Sequence, residues 1–257
     1  MIGFLIKKTF FDGWDNLFRI ALINIGFIAS AAIPVFLPSL LGGVPVLSVI
    51  VLAVGILWCF VYLAAASSSL RTLSDNQSFG FGDFFANLKT AWPAGLVMGA
   101  IVFAGVLIVT IALPFYLGIK SPAGILFAAL IFWLTVIVTL ALQFFFAIHF
   151  RLGDRIPKAL KKCFIIFFDN PGLCLFAFLH NIIIGAISLL LAFLAPGPAS
   201  ILLFLDEAFR LRLLKYDYLE ANPDANRKQI PWDALLIDER ERTGTRTLRN
   251  FIFPWKD

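Results

Sequence analysis

The few side chains in this sequence able to do chemistry sit inside otherwise apolar runs. The densest group lies in ASILLFLDEAFRLRLLKYDYLEA, residues 199–221, where Asp206, Glu207 and Arg210 interrupt an apolar helix. A helix rises about 1.5 Å per residue, so a spanning helix counted from Pro198 puts Asp206 roughly 12 Å and Arg210 roughly 18 Å below the outer surface. A lone charge at mid-bilayer costs at least about 2.5–3.5 kcal/mol, so each one needs a partner or a task. Pairing Asp206 with Arg210, four residues apart, would offset part of that cost. His180 and Asn181 fall about 13 Å in from the cytoplasmic end of the preceding apolar run. Asn24 and Gln143 fall in the inner halves of two others. Together Asp206, Glu207, Arg210, His180, Asn181, Asn24 and Gln143 describe a polar inner chamber open to the cytoplasm and suited to a small polar solute. Two other readings stay open: these groups only hydrogen-bond helix to helix, or the sixth helix is short and bent and its charges lie in water.

Catalysis finds no footing in the pattern. There is no H-E-x-x-H, no G-x-S-x-G and no phosphate loop, and Gly80-x-Gly82 lacks its third glycine. Ser67-Ser68-Ser69 ends a span with no suitable base in sequence reach. Cys59, Cys163 and Cys174 show no paired spacing and read as small apolar packing residues. No cofactor, metal or disulfide framework is expected. Nor is nucleic acid, since a basic soluble face is missing outside the loops.

The elements that must position these residues are membrane helices. Of 257 residues, 60% are hydrophobic and only 14% charged, against about 25% charged in a soluble domain. The apolar runs are long and do not alternate, so every backbone polar group is satisfied within a helix and a barrel does not fit. Spans are expected at about 20–41, 46–70, 92–117, 123–149 and 172–195, with a sixth from Ala199. The expected fold is therefore an all-α bundle of six spans, arranged as three hairpins. Ala29-Ser30-Ala31 resembles a cleavage site, but the apolar run continues to Leu41 and Asp12 and Asp15 precede it, so the amino end reads as retained.

Each hairpin follows an aromatic elbow. Residues 1–19 put Ile2, Phe10, Trp14, Leu17 and Phe18 on one side and Lys7, Lys8, Asp12 and Asp15 mostly opposite, the pattern of a helix lying in the headgroup layer. The second elbow has Phe81, Phe84, Phe85, Leu88 and Trp92 on one face. The third, 155–168, has Ile156, Ala159, Leu160, Cys163, Phe164, Phe167 and Phe168 in a stripe flanked by Lys158, Lys161 and Lys162. Asp12, Asp83 and Asp154 recur 71 residues apart, which fits either a threefold duplication or chance recurrence of a common pattern. Twenty of the 21 Lys and Arg residues fall in the segments on one side, and Lys120 alone in the three turns on the other. The positive-inside rule then puts both termini in the cytoplasm.

Asp15-Asn16-Leu17-Phe18-Arg19, Phe84-Phe85-Ala86-Asn87-Leu88-Lys89 and ALKKCFIIFFDNP from Ala159 to Pro171 carry a family likeness. An elbow feeding a span, repeated over six helices with both ends inside, resembles the YesL-like bacterial membrane proteins, over about Phe10 to Tyr218. The resemblance implies a multi-pass protein of a bacterial cytoplasmic membrane that assists or accompanies transport, with no catalytic residues to carry over. After the bundle of residues 20–219, the tail of residues 220–257 departs from that family. From Ile230 onward its five basic residues balance five acids, which rules out a polybasic lipid anchor. Trp232, Phe251, Phe253 and Trp255 in so neutral a tail suggest docking on protein: back under the bundle, which we favour, or on a partner. The functional expectation is a transport-associated component or small-solute permease. The alternative is a non-transporting scaffold whose tail docks a partner, and a homo-oligomer fits either.

Overall fold

The computed structural model describes residues 1–41, 43–227, 229–244 and 246, and the described residues are helical with short connections. Helix α1 (Ile2–Asp15) is followed after Asn16 by α2 (Leu17–Leu40), and α3 (Pro45–Ser74) returns. Helix α4 (Phe81–Leu107) continues through a wider π turn (Ile108–Ala112) into α5 (Leu113–Gly118), and α6 (Pro122–Leu142) returns to a short α7 (Phe145–Leu152). Then come α8 (Ile156–Asp169), α9 (Pro171–Leu190), α10 (Gly197–Ala221), and two short helices, α11 (Trp232–Leu235) and α12 (Ile237–Thr243).

Five of these stretches are long and apolar enough to cross a membrane: Leu17–Leu40, Pro45–Ser74, Gly82–Gly118, Pro122–Leu152 and Pro171–Leu190. Their outward faces are apolar and open, with Leu40, Val46, Trp133 and Leu190 all exposed, as lipid contact requires. The expected sixth span is where structure and expectation part. Helix α10 runs through the middle of the bundle, with Leu203, Phe204, Ala208 and Leu211 fully buried among its neighbours. Its first turn is tied to Asn24, only seven residues into α2. Seven residues further on, Asp206 already meets Ser74, the last residue of α3. That interval is about 10 Å of helix, against the roughly 30 Å of a hydrocarbon core. Among the described helices, α10 is the expected span that falls short.

The elbows also differ among themselves. The first and third are separate helices because an Asn, and in the third a following Pro, breaks the backbone at Asn16 and at Asn170-Pro171. The second lacks such a break and forms the opening turns of α4, with Pro93 accommodated inside the helix. The 71-residue spacing does not mark equivalent places. Asp12 lies in the last turn of α1, Asp83 in the first turn of α4, and Asp154 ahead of α8.

Small residues let the second and third spans pack backbone to backbone. A Cβ on Gly95 would lie 2.4 Å from the Val61 Cα, and one on Gly99 3.2 Å from the Leu57 Cα. Gly95-x-x-x-Gly99 is the small-residue spacing that lets membrane helices approach closely. Ala91 and Ala94, both buried, extend the same face of α4.

Candidate functional site: a buried ionic junction

The charges of α10 do not pair with each other, as their spacing suggests. Each turns to a different helix. Arg151, near the end of α7, grips Asp206 with a fork, Nε to Oδ1 at 2.9 Å and Nη2 to Oδ2 at 2.5 Å. Such two-point pairs fix orientation as well as charge. The Ser74 hydroxyl donates to Asp206 Oδ2 at 2.5 Å and is itself in contact with Arg151 Nη2. Arg151 also reaches Asp75 at 3.0 Å. Asp206 is 1% exposed, so this pairing takes place out of water.

The next residue, Glu207, is fully buried and faces α1. Thr9 donates to its Oε2 at 2.5 Å, while Lys8 Nζ lies 3.7 Å from its Oε1. Lys8 also pairs closely with Asp12 and lies 3.9 Å from Glu239 Oε2 on α12. Periodicity puts Lys8 on the watery face of α1. It is instead 1% exposed, because the acids of α10 and α12 close over it. Arg210 completes the circuit, donating to Glu239 Oε1 at 2.7 Å and to the Ser74 carbonyl, with Asp75 at 3.6 Å. Arg71 joins the edge through Asp75 at 3.8 Å and through the Phe150 carbonyl. Five carboxylates and four cations from α1, α3, α7, α10 and α12 thus form one junction.

The remaining expected site residues lie elsewhere. Asn24, fully buried, serves the α9–α10 turn: its amide donates to the Leu194 and Pro196 carbonyls at 3.0 and 2.9 Å, and its oxygen accepts from the Ala199 N–H at 3.0 Å. Gln143 donates to the Cys174 carbonyl at 2.8 Å and faces Asn181 at 3.5 Å, joining α6 to α9. His180 stacks on Phe204 with ring centroids 3.8 Å apart. The seven residues therefore fall into three separate groups rather than lining one chamber.

The C-terminal segment folds back. Leu236 is fully buried, Arg212 sits over the Trp232 ring at 5.6 Å, and Glu239 is built into the junction. Arg246 grips Asp15 at 2.9 Å through both carboxylate oxygens, and Lys7 donates to the Gly244 carbonyl at 3.0 Å. The other proposed docking residues, Phe251, Phe253 and Trp255, lie outside the described residues. At the far end of α8, Asp169 accepts from Tyr216 at 2.7 Å and pairs with Lys215 at 3.2 Å. Partial burial would push its carboxyl up, but these donors prevail and hold it below the usual carboxylate range. Ahead of α8, hydrogen bonds from Lys158 and Lys162 hold the Asp154 carboxyl low in the same way.

Sequence reading misses Lys8, Thr9, Asp12, Ser74, Asp75, Arg151 and Glu239 as site residues. Its one usable signal is charge bookkeeping: acids as deep as Asp206 and Glu207 require cations from other helices, and Arg151 at the end of α7 and Lys8 in the middle of α1 are able to supply them. Among the described residues, no group of three or more His, Cys, Asp or Glu side chains is arranged to hold a metal ion. No protein-family model, curated protein or solved structure matches the chain.

Proposed function

We propose that the chain is a non-enzymatic, YesL-like component of a bacterial cytoplasmic membrane, with both terminal segments cytoplasmic, that accompanies transport rather than forming the solute path itself. The observation that carries this reading is the closure of the junction. Asp206 and Arg210, the residues best suited to bind a polar solute, are occupied by Arg151 and Glu239. A side chain committed to a buried pair is costly to redirect, since freeing one partner leaves the other charge stranded. The orientation draws support from the basic-residue asymmetry and from the contact of α1 with α12, which fits both terminal segments lying on one side. In this account α9 and α10 form the sixth-helix hairpin, shallower than the other two.

A scaffold whose tail docks a partner is the second reading, and the C-terminal segment favours it. Through Glu239 and Arg246, any protein that engages residues 230–257 acts directly on α1 and α10. A partner protein or a second copy of the chain would fit there.

The test is flux through the purified chain. Proteoliposomes subjected to an osmotic step with small polar solutes, followed by light scattering, should relax like empty vesicles. A protein-dependent flux abolished by Asp206→Asn would instead establish the permease.

A further inference from the structure

Where α1 breaks into α2, a cavity of about 610 Å³ opens between α2, α3 and the start of α4. That volume falls in the roughly 300–1,000 Å³ range of small-molecule sites. Its walls are Leu22, Ile23, Gly26, Tyr62, Phe84 and Phe85. The polar group inside is already used, since the Tyr62 hydroxyl donates to the Ile23 carbonyl at 2.8 Å. Phe18 and Phe85, both exposed, flank it on the lipid-facing side.

The mouth is different. Arg19 lines it and donates to the Phe79 carbonyl at 3.2 Å and to the Asn16 side-chain oxygen at 2.8 Å, both neutral acceptors. Among the described residues Arg19 forms no ion pair, whereas Asp15, which lines the same mouth, is paired with Arg246. Asp83, the other acid nearby, accepts from the Gly80 N–H at 2.8 Å. An unneutralised guanidinium thus stands over an apolar slot at the level where an interfacial helix meets a span. That is the depth of phospholipid headgroups.

The geometry points to a bound anionic phospholipid: an acyl chain in the slot between α2 and α4, and the headgroup phosphate on Arg19. The slot excludes a polar solute because it offers no free hydrogen-bonding group beyond the mouth. Arg19 selects against a lipid with no net charge.

The experiment is native mass spectrometry of the full chain, released from detergent supplemented with phosphatidylglycerol or phosphatidylcholine of the same acyl chains. The wild type should retain one phosphatidylglycerol in preference to phosphatidylcholine by about fivefold, the factor that one cation near a membrane surface contributes toward an anionic lipid. Arg19→Gln should retain the two equally, and Arg19→Lys should keep the preference. Leu22→Trp, which fills the slot, should lose both lipids, whereas Leu126→Trp on an exposed outer face should lose neither. An unchanged preference in Arg19→Gln overturns the proposal, as does displacement of the lipid by inorganic phosphate. The Arg19 pair decides the matter even if Leu22→Trp does not fold.

Discussion

Removing the Arg151 guanidinium is the sharpest single perturbation of the junction. Arg151→Met keeps much of the stem's volume and deletes the charge, leaving Asp206 with the Ser74 hydroxyl as its near partner. Breaking a buried pair from one side costs about 3–5 kcal/mol, because the surviving charge is stranded out of water. On a fold worth roughly 5–15 kcal/mol, that is a large share. The double variant, Arg151→Met with Asp206→Leu, removes the stranded charge as well, and replacing a buried pair by apolar side chains is often neutral. Asp75 keeps Arg210 and Arg71 in that variant, at 3.6 and 3.8 Å. The two substitutions should therefore be strongly non-additive, with a coupling of roughly 2–3 kcal/mol. Denaturant unfolding of all four proteins in one mixed-micelle system, followed by tryptophan fluorescence, measures it. A coupling under about 0.5 kcal/mol would mean that the fork contributes nothing of its own, and the junction would lose its claim to organise the bundle.

Three further expectations follow from single sites. Asn24→Leu strips the partners from two carbonyls and one N–H in the α9–α10 turn, at about 1–3 kcal/mol per buried group left unpaired; thermal unfolding in detergent should show a drop well beyond that of Leu22→Ala. Gly95→Val forces α4 away from the α3 backbone, whereas Gly105→Val meets open space; comparison of folded yields should show a loss in the first and near-normal recovery in the second. Tyr216→Phe removes a donor that keeps Asp169 ionised. Because the folded state lowers this carboxyl's pKa, the associated stability is present above the unfolded value near 4 and is lost as pH falls through the folded one. Unfolding midpoints of wild type and Tyr216→Phe should therefore differ at pH 7 and converge only in acid, once the pH has fallen through the lowered pKa of the folded carboxyl.

The crossing helices are legible in the sequence because lipid imposes a length of about 20 apolar residues, which the five stretches meet on composition alone. The break at Asn170-Pro171 is legible for a local reason too, since a residue before proline avoids the helical region. The junction is not legible, and its residues show why. Asp206 and Arg210 satisfy the spacing of a helical pair, yet each finds a better partner far along the chain, and spacing carries no information about such partners. Lys8 looks solvated by periodicity because, besides Asp12 four residues on, the acids that enclose it, Glu207 and Glu239, come from the other end of the chain. The depth of α10 is hidden likewise: its turn is pinned by Asn24, a contact across 175 residues. Gly95-x-x-x-Gly99 is a small-residue signal that the sequence carries and the sequence reading passes over; that α3 is the helix it admits is seen only from the contacts with Val61 and Leu57.

Sidedness is the point on which the whole reading turns, and impermeant-maleimide labelling of intact cells measures it directly. The native thiols give little background, since Cys59, Cys163 and Cys174 are all buried and burial pushes the Cys163 thiol up to about 12. With single exposed cysteines at Gly3→Cys, Lys120→Cys and Glu241→Cys, position 120 should label in intact cells, and positions 3 and 241 only after permeabilisation. Labelling of position 3 or 241 together with 120 in intact cells would contradict the account.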